Sequence, residues 1–130
     1  MESKNPIIIA EFCQNHKGDR NLLKEMVWAA AEAGATYAKV QSMLADDLTL
    51  RERLESGAWE GEKQVAIKRT YQAEYERLKP MDLTDEMHLF FSEECHRAGI
   101  KPMTTMFSPA AAILAACSTV RWKRDSSAMT

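Results

Sequence analysis

Ile7-Ile8-Ile9-Ala10-Glu11-Phe12-Cys13-Gln14-Asn15-His16-Lys17-Gly18-Asp19 is an apolar run that stops at a carboxylate and a cluster of polar side chains. Its shortness and β-branched content favour a strand buried on both faces. Gly18-Asp19 ends the loop, and Asp19 is placed to N-cap a helix carrying Leu22, Leu23, Met26, Val27 and Ala30 on one face. Gly34 closes that helix in the C′ position, and Tyr37-Ala38-Lys39-Val40-Gln41 reads as the next strand. Strand, loop, helix, strand is a βαβ unit whose second strand runs parallel to the first.

The same grammar returns downstream. From Ser42 to Met81 the chain is charged and weakly patterned, with Gly57 and Gly61 flanking Trp59, and a helical segment is expected from about Lys63 to Leu78. An insertion of this length in a βα repeat belongs to a functional loop. Thr84 caps a second amphipathic helix with Met87, Phe90, Phe91, Cys95 and Ala98, ended by Gly99. Lys101 to Ser108 is a third strand, and Ser108-Pro109 reads as N-cap and N1 of a third helix. The fold class is α/β, with three strand ends bringing Glu11, Lys39 with Gln41, and Thr105 to one face.

Composition bounds the function. At 130 residues one domain is expected, with 45% apolar and 28% charged residues, as in soluble globular proteins. No apolar run approaches the roughly 20 residues of a membrane helix, and the N-terminus has no basic n-region or secretory h-region, so a cytoplasmic protein without a membrane partner is expected. A net charge of −2 argues against a general nucleic-acid binder. Cys13, Cys95 and Cys117 have neither disulfide-framework nor zinc spacing and read as reduced thiols.

Each candidate has a plain alternative. Glu11 at a strand end can serve as general acid or base, or accept a substrate hydroxyl, or simply cap a neighbouring loop. Lys39, inside a run expected to be buried, needs an anion: a ligand phosphate or carboxylate, or Glu11 on the adjacent strand. Gln41 lies two residues on and on the same face. Thr104, Thr105 and Ser108 surround a strand end and helix start that favour anions, although capping by Ser108 accounts for that serine as well. Asn15 and His16 are weak signals by themselves. His88 and His96 read as surface residues, and no metal-ligand spacing is present.

Together these residues resemble the sialic acid synthase family, whose members make N-acetylneuraminate and related nonulosonates such as legionaminate. The resemblance rests on IIIAEFCQNHKGD, AGATYAKVQS, YQAEYERLKPMDLTDEMH and AGIKPMTTMFS, in that order, over roughly residues 6 to 108. It implies the first three βα units of a (β/α)8 barrel that condenses phosphoenolpyruvate with an N-acylated hexose. It also implies a divalent metal, manganese or magnesium, whose ligands lie on parts of the family fold not matched in this chain, and homodimers of full-length members. Carried over, Glu11 and Lys39 are the implied catalytic residues, and Gln41, Thr105, Asn15, His16 and Ser108 the implied substrate-binding ones.

Cys13, Gln14 and Met106 depart from the commoner family residues as subfamily variation would. The stretch after Ser108 departs further. Residues 1–108 carry 14 basic and 18 acidic side chains, while 109–130 carry Arg121, Lys123, Arg124 and only Asp125. The expectation is therefore a barrel portion over 1–108 and a divergent tail over 109–130, arising from a reading-frame shift in a truncated synthase. Two other readings stand beside it: an inactive fragment or interaction protein, and a related synthase making 3-deoxy sugar acids from phosphoenolpyruvate.

Overall fold

The computed structural model describes residues 5–48, 58–65, 70–113 and 115–116. Strand β1 (Ile9–Cys13), helix α1 (Arg20–Glu32), strand β2 (Tyr37–Ser42) and a 3-10 turn (Ala45–Asp47) come first. A short hairpin, β3 (Ala58–Glu60) and β4 (Lys63–Val65), leads to helix α2 (Tyr71–Leu78), a second 3-10 turn (Lys79–Met81), helix α3 (Asp85–Arg97) and strand β5 (Lys101–Met106). A further helix opens at Pro109.

The signals for helix ends are local, and they hold. Asp19 Oδ1 accepts the N–H groups of Asn21 and Leu22 at 2.8 and 3.1 Å, and Thr84 Oγ1 accepts that of Met87 at 3.3 Å. Each such cap stabilises its helix by about 1 kcal/mol. Strands β1, β2 and β5 form one parallel sheet in the order β1-β2-β5, with Glu11 opposite Lys39, Val40 opposite Thr104 and Gln41 opposite Thr105. Helices α1 and α3 cover one face of it. Leu23 and Val27 of α1 and Phe91 and Cys95 of α3 meet Phe12, Ala38 and Val40 of the strands in a single core.

Two expectations need correction. The apolar run before Glu11 is not buried on both faces: Ile7, Ile8 and Ile9 are 70%, 48% and 47% exposed. β1 is an edge strand, and among the described residues no layer lies over the sheet's second face, so only Ala10 and Phe12 of that strand pack toward the helices. The helix expected from Lys63 starts only at Tyr71, behind a Thr70 cap. Lys63 instead pairs with Glu60 across a two-residue loop whose first position, Gly61, has φ +63°, as such hairpin turns require.

The segment after β2 is pinned back beside the sheet's C-terminal end. Asp46 accepts Tyr75 Oη and Lys79 Nζ, both at 2.7 Å, while Asp82 Oδ1 accepts the buried Ala45 N–H at 2.8 Å. Its inner edge presses on the β1–α1 loop. A Cβ on Gly18 would sit 2.0 Å from the Pro80 carbonyl oxygen, and Gly18 holds φ +76°.

Candidate functional site

The open face of the sheet follows from strand alternation. On β2 the residues Ala38, Val40 and Ser42 are buried against the helices, which leaves Tyr37, Lys39 and Gln41 half-buried on the other side. Parallel register then adds Glu11 beside Lys39, and Met103 and Thr105 beyond it. Glu11, Lys39, Gln41 and Thr105 are thus brought together toward the C-terminal ends of three adjacent strands.

Lys39 Nζ lies 2.6 Å from Glu11 Oε2. The other carboxylate oxygen accepts the Cys13 N–H at 3.0 Å, across a bulge between Glu11 and Cys13. Cys13 adopts φ +51°, a left-handed conformation uncommon for a residue with a Cβ. Partial burial alone would raise the Glu11 pKa, but the hydrogen bonds from Lys39 and Cys13 and the Lys39 charge outweigh it and hold the carboxyl below its ordinary value. Burial and the adjoining Glu11 carboxylate push the Cys13 thiol up, so it stays protonated. The chemistry on offer is a cation already balanced by one carboxylate, flanked by an amide and a hydroxyl. An incoming phosphate or carboxylate can take over the cation from Glu11.

The loop residues divide. Asn15 is exposed, with its N–H on the Phe12 carbonyl at 3.0 Å. His16 is fully buried, and its Nδ1 accepts the Gly18 N–H at 3.0 Å. A neutral ring accepting at Nδ1 carries its proton on Nε2, and that Nε2 has no hydrogen-bond partner among the described residues. Burial lowers the pKa and keeps the ring neutral. His16 therefore braces the loop from within. Beside it, a cleft is lined by Cys13, Gln14, Asn15, Lys17, Arg77 and Met81.

Ser108 stands apart from the Glu11–Lys39 pair: its hydroxyl donates to the Asp47 carboxylate and accepts the Ala111 N–H at 3.1 Å. Thr104 points to the helix side, where its Oγ1 lies 2.6 Å from Ser42 Oγ. There the structure corrects a sequence expectation. His88 is buried, not a surface residue, and its Nε2 is 3.0 Å from Ser42 Oγ. The signal was present, since His88 shares the stripe of Phe91, Ser92 and Cys95 at spacings of three, four and seven. His96 is exposed, as expected. Cys13 and Cys95 are free thiols, while Cys117 and the tail from 117 lie outside the described residues.

Among the described residues no group of three or more His, Cys, Asp or Glu side chains could hold a metal ion, so they do not fit the implied divalent metal and no chemical step is assigned to one. No helix among them is long and apolar enough to cross a membrane.

The profile of the NeuB family matches residues 26–130. The N,N'-diacetyllegionaminic acid synthase of Legionella pneumophila subsp. pneumophila is 41% identical over 100 residues, which cover 77% of this chain and 27% of that protein. The synthase of the same name from Campylobacter jejuni subsp. jejuni serotype O:2 is 48% identical over 42 residues, 32% of this chain and 13% of that one. Among solved structures, the N-acetylneuraminic acid (sialic acid) synthetase of Leptospira borgpetersenii serovar Hardjo-bovis, in complex with citrate, superposes with a TM-score of 0.65 at 25% identity. That superposition covers 88% of this chain and 34% of the synthetase. The chain thus spans about a third of these relatives' length or less.

Proposed function

This chain belongs to the NeuB family, and on that premise we propose that its open sheet face is the phosphoenolpyruvate-handling corner of a nonulosonate synthase of the sialic or legionaminic acid type. The three parallel βα units are the first three of a (β/α)8 barrel, with the open face turned to the barrel interior, where the C-terminal strand ends of such barrels carry the chemistry. In this reading the enzyme joins phosphoenolpyruvate to an N-acylated hexose through a new carbon–carbon bond and, with water, releases inorganic phosphate.

The observation that carries it is the Glu11–Lys39 pair with Gln41 and Thr105 in register beside it. Lys39 neutralises the phosphate or carboxylate of phosphoenolpyruvate, and Thr105 and Gln41 hydrogen-bond to it. Glu11, released from Lys39 as the anion arrives, becomes the carboxylate available for proton transfer or for a hydroxyl of the sugar. Asn15 borders the acceptor side, while His16 and Ser108 act by holding the loop and the 109 helix in place.

Because the chain covers 27% of the Legionella synthase, the test runs both proteins side by side. Phosphate release from phosphoenolpyruvate is measured with N-acetylmannosamine or a diacetylated hexose in the presence of manganese. Release by the full-length relative, together with phosphoenolpyruvate binding by this chain, is the expected result. A chain that neither binds nor turns over phosphoenolpyruvate contradicts the assignment.

A further inference from the structure

On the helix side of the sheet, directly behind the proposed site, three polar side chains form a hydrogen-bonded line. Thr104 Oγ1 donates to the Val40 carbonyl at 3.2 Å. The closer contact of Thr104 Oγ1, at 2.6 Å, is with Ser42 Oγ, and either hydroxyl can donate in it. Ser42 Oγ in turn lies 3.0 Å from His88 Nε2, which donates or accepts according to the ring tautomer. The line links His88, Ser42, Thr104 and the Val40 carbonyl, from α3 to the end of β2, across to β5 and back to the backbone of β2. Ser42 and His88 are 1% and 5% exposed.

An apolar trio would fill this layer without the desolvation cost that polar groups carry there. What the polar line adds is direction and register. Ser42 is the sequence neighbour of Gln41, and Thr104 of Thr105. Alternation along each strand puts each neighbour on the opposite face. Ser42 also ends β2, and its carbonyl accepts the Phe107 N–H at 3.2 Å just past the end of β5. Strand ends fray first, so these two are the parts of the sheet most in need of an anchor. Phe91 and Cys95 fix the middle of α3 in the core, and His88 fixes its N-terminal turns to the strand ends.

We infer that His88 is a positioning residue: through Ser42 and Thr104 it holds, from behind, the strand ends that present Gln41 and Thr105, and anion binding on the open face depends on it. The dependence on anion binding rests on the function proposed above; the anchoring of the strand ends does not. Amide hydrogen exchange at Phe107 and calorimetric binding of phosphoenolpyruvate are measured on the chain and on His88→Leu, His88→Gln and Ser42→Ala. Leucine removes the polar partner of Ser42 and glutamine, which can donate or accept, restores one, while Ser42→Ala cuts the line without touching the helix. Exchange at Phe107 rises about tenfold in His88→Leu and in Ser42→Ala, the scale of one neutral hydrogen bond, and stays within about twofold in His88→Gln. Affinity falls about tenfold in the same two variants and is kept by glutamine. Unchanged exchange at Phe107 in both cut variants, or a glutamine variant as impaired as leucine, overturns the inference. If the unsubstituted chain binds no phosphoenolpyruvate, the proposed function fails, and the exchange pattern alone decides the anchoring.

Discussion

Glu11 holds two partners at once, Lys39 through one oxygen and the Cys13 N–H through the other, and its value to the fold differs from its value to a ligand. Its side chain is 37% exposed, so solvent screening leaves the ion pair worth under about 1 kcal/mol. Because its pKa is depressed in the fold, that small contribution is present above the ordinary carboxylate value of 4.5 and lost in acid. Glu11→Gln should therefore move the urea midpoint at neutral pH only slightly. His16 and His88 carry a pH dependence nearer neutrality. Burial lowers both imidazole pKa values, against a weaker raising effect of Asp85 on His88, so unfolding takes up protons. Stability is full above the ordinary value of 6.5 and declines as pH falls below it. The urea midpoint should drop from neutral pH to about pH 5.5, and drop less in His16→Asn, which keeps an acceptor for the Gly18 N–H. Gly18 itself has no room: Gly18→Ala meets the Pro80 carbonyl and should cost about 2–4 kcal/mol. Gly34→Ala, with nothing within 4 Å of the added carbon, should cost only the ~1 kcal/mol of its left-handed backbone.

At the scale of elements, the caps were legible because each is written within four residues of chain: Asp19, Thr84 and Ser108 precede the helices they start, and Gly34 and Gly99 follow the helices they end. The partner of Lys39 was not. Pairing with Glu11 depends on the register between β1 and β2, which no local pattern in the sequence states. β1 misled for a related reason: a continuous apolar run records burial on two faces, and the second face has no cover among the described residues. The 3-10 turn after β2 and helix α2 are held together by side chains far apart in sequence. Asp82→Ala leaves the buried Ala45 N–H without an acceptor and should cost about 1–3 kcal/mol. Asp46→Ala, whose bonds to Tyr75 and Lys79 are exposed, should cost less than about 1 kcal/mol. Chemical denaturation of the two variants should rank them in that order.

At the scale of the molecule, the described residues place three parallel strands under two covering helices, and the sheet face that these helices leave uncovered carries the most chemically pointed of them. Family membership was legible in four ordered motifs, and the profile match over 26–130 agrees with it. The expected boundary at 108 and shifted frame beyond it concern a stretch that is described only through 113 and at 115–116. Re-reading the coding DNA in the other two frames tests that expectation, and a family-like continuation in one of them is the supporting result. The proposed function turns on Lys39 as the cation that receives phosphoenolpyruvate. Calorimetric titration of phosphoenolpyruvate into the chain and into Lys39→Ala tests this most directly. A loss of affinity of at least about tenfold in Lys39→Ala, with binding kept in Glu11→Gln, is the predicted result; equal affinity with and without the Lys39 ammonium would contradict it.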